Sequence, residues 1–294
     1  MMDRQMQLFA QLQAEIAAPR PRHDHAGVVS YYGITYAAVP GFRPLVLDLH
    51  RPAASAGPVP ILVWLHGGGW MGGDRAMGHA IEMVPRGFAV AAAQYRLSGE
   101  AQFPAQLHDL KGAVRWLRAN ASRFELDAEL VVAWGASAGG HLACLLGLTG
   151  GDPELEGDVG GNLDQSSAVQ GVIDYFAPAD FLSMSRGQPG RPDPVARLLG
   201  YPAAERPDAA RVAMPIAHVG AGAPPFLIMH GDADPVMPLA QSQALQSALT
   251  GAGAEATLVV LPGALHEDPA FWSDESLAHI SKFLERSLRA SARV

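Results

Sequence analysis

Ser137 stands in the string Gly135-Ala136-Ser137-Ala138-Gly139, a G-x-S-x-G turn in which two glycines flank a hydroxyl. Such a turn suits a strand that passes abruptly into a helix, leaving no room for side chains and exposing the serine above a sheet. The surroundings fit. Residues 130–134 form an apolar run of strand length that ends at Gly135, and Leu142, Leu145 and Leu146 follow at helical spacing. A serine hydroxyl is a poor nucleophile at neutral pH, so the chemistry implied is attack on a carbonyl while a base takes the proton. A glycine-rich turn with a passive serine is the bland alternative, and the rest of the chain decides against it.

Histidine is the side chain whose ordinary pKa suits that base. Of the eleven histidines, His266 follows a strand-like run, residues 257–261, in a loop containing Pro262, Gly263, Ala264 and Leu265. A chain leaving a sheet presents an imidazole well from such a place. The base needs a carboxylate to fix its tautomer, and Asp232 and Asp234 both follow the apolar run 225–229. Spacing does not separate them; the other one orders the turn or caps a helix starting near Pro238. Oxyanion donors come from His66-Gly67-Gly68-Gly69-Trp70, placed directly after the apolar run 59–65. Glycines there can turn N–H groups inward without Cβ interference.

With these strings in the order nucleophile, acid, histidine, the chain resembles the α/β-hydrolases of the carboxylesterase type, near hormone-sensitive-lipase-like esterases and bacterial acetyl and feruloyl esterases. The resemblance runs over nearly the whole chain. It implies a triad of Ser137, His266 and Asp234, because the family's acid takes the fifth place of an H-G-x-x-D string, here His230-Gly231-Asp232-Ala233-Asp234. Met237-Pro238 stands where the family has Val-Pro. The same resemblance implies Gly68, Gly69 and the N–H of Ala138 as the oxyanion hole, and an acyl-enzyme mechanism on short, acetyl-like esters with neither metal nor cofactor. Arylformamidase-like or peptidase-like cleavage of amides is the alternative on the same machinery. A ligand receptor that has lost catalysis would lack the serine or the histidine, and both are present.

Other residues carry less. His23-Asp24-His25 looks like a metal cluster but has no second cluster at ligand spacing. His66 and His230 belong to the motif strings and read as organisers of loops, His141 as a packed polar residue, and Cys144 as a small buried hydrophobe.

The elements that must position these groups follow from periodicity. Strand-like runs at 45–49, 59–65, 88–93, 130–134, 169–176, 226–229 and 257–261 alternate with helical patterns, the signature of a mostly parallel sheet. The resemblance implies that residues 28–37 pair antiparallel at its edge. Phe103, Leu107, Leu110, Val114 and Leu117 define one buried helix face, and 241–249 and 277–288 read as the last two helices. The expected architecture is an α/β-hydrolase fold of about eight strands with helices on both faces, occupying residues 27–294 behind a leader helix at 1–26. Residues 178–222 break the alternation and read as a small helical cap, with Phe181, Leu182, Met184, Leu198, Leu199 and Tyr201 its apolar lining. Arg186, Arg191, Arg197, Asp193, Arg206 and Asp208 also lie in it, which suits dissolved substrates better than a lipid interface.

A chain of 294 residues, 49% hydrophobic, is long enough for one such domain. Its net charge of −8 and the lack of any basic run argue against a nucleic-acid partner. One cysteine allows no intramolecular disulfide, and no stretch has the length and apolarity of a signal peptide or membrane span. The expectation is a cytoplasmic enzyme whose partner is a small-molecule ester, with a homodimer left open.

Overall fold

The computed structural model describes residues 20–184 and 193–291, with side chains as far as Ser287. Eight strands form one sheet: β1 (Val28–Ala37), β2 (Leu45–Pro52), β3 (Val59–Leu65), β4 (Ala89–Ala93), β5 (Leu126–Ala136), β6 (Gly171–Tyr175), β7 (Phe226–Gly231) and β8 (Ala256–Leu261). Their spatial order is β1-β2-β4-β3-β5-β6-β7-β8. β1 pairs antiparallel with β2, and β2 antiparallel with β4; every other pairing is parallel.

The apolar runs are continuous because both faces of the sheet are covered. Side chains alternate along each strand, so β3 sends Ile61, Val63 and Leu65 to one face and Leu62 and Trp64 to the other. The first face packs against α1 (Ala105–Ala119), α2 (Ala138–Leu148) and α5 (Ala240–Gly251), through residues such as Leu110, Leu142 and Leu245. The second packs against α6 (Asp274–Ser291), through Leu277, Ile280, Phe283 and Leu284, and against the short 3₁₀ turn Ala80–Arg86.

The chain leaves β3 for β4 on one side and then crosses to β5 on the other. The ends of β3 and β5 therefore flank the point where strand order reverses, the place where open α/β sheets bind ligands. Between β6 and β7 lie two short helices, α3 (Pro194–Leu199) and α4 (Pro207–Arg211), with 3₁₀ turns at Ala203–Glu205 and Pro215–His218. Asp193 caps α3, its carboxylate accepting the N–H groups of Val195 and Ala196.

Three sequence expectations need correction. β5 begins at Leu126, earlier than the apolar run at 130, because Leu126 pairs with Val59 across an irregularity while Asp127 and Glu129 interrupt the hydrophobic pattern. Residues 20–26 of the expected leader helix are not helical: Arg22 forms an isolated bridge with Ser30, and Pro21 has no N–H to donate. Within the inserted stretch, Phe181, Leu198 and Leu199 are buried in the core, so they pack the insertion down onto the sheet. The helical pattern at 1–18, and Arg186 and Arg191, lie outside the described residues. Among the described residues no helix is long and apolar enough to cross a membrane.

Candidate active site

Ser137 sits between β5 and α2 at φ 54°, ψ −118°, a conformation that costs a residue with a Cβ on the order of 1–3 kcal/mol. The turn is held by close backbone approach. A Cβ on Gly139 would fall onto the carbonyl oxygen of Leu65, and one on Gly135 onto that of Gly139. The Ser137 N–H donates to the carbonyl of Tyr175 (2.8 Å), which ties the turn to β6.

His266 lies across from it. Its Nδ1 is 2.7 Å from Asp234 Oδ2, and its Nε2 is 3.1 Å from Ser137 Oγ. An ionised carboxylate can only accept, so Nδ1 carries the proton and Nε2 is left to accept from the serine hydroxyl. Ser137, His266 and Asp234 thus form one hydrogen-bonded line across loops that follow β5, β8 and β7. Phe176, at φ 44° after β6, places its ring 4.4 Å from that of His266 and packs the imidazole from the side.

The two aspartates separate here. Asp234 turns inward, and its Oδ1 accepts the N–H groups of Val236 (2.7 Å) and Met237 (2.9 Å). Burial would raise its pKa, but hydrogen bonds from His230, His266 and those two backbone groups outweigh it and hold the carboxyl well below the usual range. Asp232 instead accepts the Gly263 N–H at 2.6 Å and joins the loop after β7 to the loop after β8. His230 is buried with Nε2 2.9 Å from the Met237 carbonyl, so that nitrogen is the donor and Nδ1 accepts from the Ser242 hydroxyl. The same Nε2 lies 3.5 Å from Asp234 Oδ2.

On the other side of Ser137, Gly68 (φ 111°) and Gly69 (φ 60°) turn the chain after β3. The Gly68 carbonyl accepts from Met71 and Gly72, so the turn closes on itself. A Cβ on Gly69 would meet Pro194 of α3 at 3.5 Å, which places the insertion against this turn. Ala138 is the first residue of α2, where helix N–H groups have no intrahelical partner. The turn after β3 reaches Ser137 at Gly67, where a Cβ would lie 3.5 Å from Ser137 Cβ, one residue before Gly68, and Ala138 follows Ser137 directly. His66 keeps the first turn in shape, its Nδ1 2.8 Å from the Gly67 carbonyl and its ring stacked on Tyr95.

His141 is wholly buried, with Nε2 donating to the Ala213 carbonyl (2.7 Å) and its ring stacked on Phe181. Burial pushes its imidazole down to about 4. Cys144 is buried on the same helix. His23, Asp24 and His25 are exposed, and no group of three or more His, Cys, Asp or Glu among the described residues could hold a metal ion.

Sequence reasoning passed over three residues at this site. Phe176 gives no signal in its string, Glu267 follows the histidine at a positive φ of 58°, and Asp174 is a fully buried carboxyl on β6. Burial pushes Asp174 up to about 7, against the bond it accepts at Oδ1 from the Ala177 N–H (2.9 Å). An aspartate amid the apolar run 169–176 is the one cue the sequence offered.

An α/β-hydrolase is what this sheet and its convergent turns define. The chain belongs to the BD-FAE family, whose model matches residues 47–249. It is 33% identical to esterase LipC of Mycobacterium tuberculosis over 71% of this chain and 53% of LipC. It superposes on a truncated carbohydrate esterase from gut microbiota with a TM-score of 0.83 at 29% identity, covering 91% of this chain and 99% of that one. A butyrate-bound esterase of Thermogutta terrifontis superposes with a TM-score of 0.66 at 26% identity, over 93% and 97% of the two chains. The chain spans between half and three-fifths of the length of the curated relatives it matches.

Proposed function

We propose that this chain hydrolyses carboxylic esters of short acyl groups through a covalent acyl-enzyme. The observation that carries the reading is the placement of His266, within hydrogen-bonding distance of both Ser137 Oγ and Asp234 Oδ2. In the reaction Ser137 Oγ attacks the ester carbonyl carbon as its proton passes to His266 Nε2, and Asp234 stabilises the resulting imidazolium. The carbonyl oxygen, now negative, is met by the N–H groups of Gly68, Gly69 and Ala138. Collapse breaks the bond to the alcohol oxygen, which takes the proton from His266. Water then repeats the attack with His266 as base, releasing the acid and restoring Ser137. The scheme calls on no cofactor.

Support for the ester bond comes from the relatives, which are esterases by name. Support for short acyl groups comes from charge: Asp180, Asp193, Arg197, Arg206 and Asp208 lie in the insertion beside the site, unlike the apolar face a lipase presents to lipid. A series of p-nitrophenyl esters from acetate to palmitate, with N-formylkynurenine alongside, tests both. We expect kcat/KM to be highest between acetyl and about hexanoyl. A steady rise to palmitate, with a jump above the solubility limit, would make the insertion a lipase lid. Faster turnover of N-formylkynurenine than of any ester would move the activity to amides.

A further inference from the structure

Residues 66–70, the turn after β3, are held at both ends by one short segment, and that segment is held by one buried ion pair. The segment, residues 95–98, follows β4. Tyr95 is wholly buried; its hydroxyl donates to the His66 carbonyl (2.9 Å), and its ring stacks on the His66 imidazole with centres 4.5 Å apart. Three residues on, the Ser98 N–H donates to the Trp70 carbonyl (2.7 Å). Gly67, Gly68 and Gly69 lie between these two anchor points. Trp70 keeps φ at 57°, a left-handed conformation that costs a residue with a Cβ about 1–3 kcal/mol and persists only where its surroundings impose it.

Between Tyr95 and Ser98 stands Arg96. Its backbone N–H donates to Asp109 Oδ2 (2.9 Å), its Nε to the same oxygen (2.9 Å), and its Nη2 to Asp109 Oδ1 (2.6 Å). One carboxylate on α1 therefore fixes both the main chain and the side chain of Arg96. The Asp109 side chain is wholly buried and that of Arg96 is 14% exposed. Nη2 also donates to the Ala105 carbonyl (3.3 Å), which ties the guanidinium to the first turn of the same helix. The route from α1 to the glycine turn is short: Asp109 to Arg96, along the chain to Tyr95 and Ser98, and from these to His66 and Trp70.

A buried ion pair is weak grounds for stability, because desolvation of both charges offsets most of their attraction. What it imposes is geometry, since a planar fork of N–H groups meets both oxygens of a carboxylate in a fixed orientation. A second buried cluster on α1 supplies the contrast. Lys111 and Arg115 donate to Glu156 (2.9 and 2.8 Å) and to the carbonyls of Thr149 and Val159. They clamp the loop that leaves the C-terminal end of α2, the opposite end of that helix from Ser137.

We propose that Arg96 and Asp109 are positioning residues for ester hydrolysis: the pair sets where the Gly68 and Gly69 N–H groups stand, and acts on the transition state rather than on substrate binding. The proposal rests on the ester-hydrolase reading and on the oxyanion role which that reading gives the two glycines. Acylation and deacylation both place a negative oxygen against these N–H groups, so a displaced turn slows both steps and lowers kcat with little change in KM. A misplacement of about 1 Å costs on the order of a hundredfold.

The test uses p-nitrophenyl acetate and a trifluoromethyl ketone, each at a temperature well below the Tm of the variant. The ketone gauges the turn independently: Ser137 Oγ adds to its carbonyl carbon, the serine proton passes to His266, and the charge rests on the former carbonyl oxygen. Asp109→Asn and Arg96→Lys should each lower kcat about tenfold or more, hold KM within about threefold, and raise the inhibition constant of the ketone by the factor that kcat/KM loses. Arg96→Lys keeps the charge of the pair and carries the test if Asp109→Asn does not fold. Glu156→Gln should lower Tm while leaving kcat and the inhibition constant within about twofold. Pair variants that stay within about twofold in kcat, whatever their Tm, would overturn the proposal and leave the pair a support of the fold. So would a fall in kcat without a matching rise in the inhibition constant, or an equal fall in Glu156→Gln. Failure of the unaltered protein on p-nitrophenyl acetate would instead sink the ester-hydrolase reading beneath it.

Discussion

The two sides of the site are held by different forces. On the Ser137 side, the turns after β3 and β5 are fixed by backbone approach: Gly139 lies against the Leu65 carbonyl, and Gly135 against Gly139. On the Asp234 and His266 side, the loops after β7 and β8 are fixed by side chains, with Asp232 on Gly263, Asp234 on Val236 and Met237, and Asp268 on Leu265 and Ala270. The first arrangement tolerates no added atom. The second tolerates substitution but loses chemistry when an acceptor or a charge goes. The position of Gly68, Gly69 and Ala138 is therefore a property of the fold, whereas the orientation of the His266 imidazole depends on single hydrogen bonds.

Removing the reacting atoms tests the shared end of both sides and should have the largest effect. Ser137→Ala and His266→Ala should each lower kcat by roughly a millionfold, and the double variant hardly further, because the residues act as a unit. Near- and far-ultraviolet circular dichroism should be unchanged, since neither side chain belongs to the apolar core. A tenth of the activity surviving in Ser137→Ala would remove the serine from the mechanism.

Next in size is the contrast within the side-chain-held loops. Asp234→Asn should lower kcat by roughly three to four orders of magnitude, as loss of the orienting charge leaves the wrong tautomer. Asp232→Asn keeps an oxygen for the Gly263 N–H and should cost less than about tenfold. Steady-state kinetics of the pair settles the ranking, and its reversal would make Asp232 the acid.

The backbone-held side should break as a fold before it breaks as a catalyst. Gly139→Ala forces a Cβ onto the Leu65 carbonyl, with the His66 carbonyl also close, and neither is a side chain that can swing away. A cost of about 3 kcal/mol is expected, lowering Tm by roughly 6–12 °C. An unchanged Tm with lost activity would mean that the turn yields and that the donors, not the packing, depend on Gly139.

The same contrast explains what the sequence disclosed. Constraints of backbone approach act over a few residues, so Gly135, Gly139, Gly68 and Gly69 appear as strings beside apolar runs, and the parallel sheet appears as the runs themselves. Asp232 and Asp234 follow one strand two residues apart, and only the direction each side chain takes in three dimensions separates them. Phe176 and Glu267 adopt positive φ without being glycine, so no residue type marks the turns they make. The insertion misled for another reason: Phe181, Leu198 and Leu199 have the composition of a pocket lining, but burial against the sheet uses them first.

Asp174 supplies the smallest and sharpest test, because it stands at the end of β6 beside both regions yet belongs to neither kind of fixation. Its Oδ1 accepts the Ala177 N–H and lies 2.9 Å from the point a Cβ on Gly140 would occupy, and the residue is wholly buried. Burial pushes the carboxyl up to about 7, above the 3.8 of an exposed aspartate. A group whose pKa is raised on folding holds its proton in the folded chain while the unfolded chain has already released it. Its contribution to stability is thus complete below about pH 4, is lost as pH rises from about 4 to 7, and is level above that. Asp174→Asn cannot ionise and keeps an oxygen for Ala177. The variant should therefore gain on the unaltered protein as pH rises, by at most about 1.4 kcal/mol per pH unit within that window. Urea unfolding of both proteins at pH 4.5, 6 and 8 measures the difference. A constant gap across the three would show that Asp174 is ionised throughout, and that some partner for its charge lies in the wall between the nucleophile helix and β6.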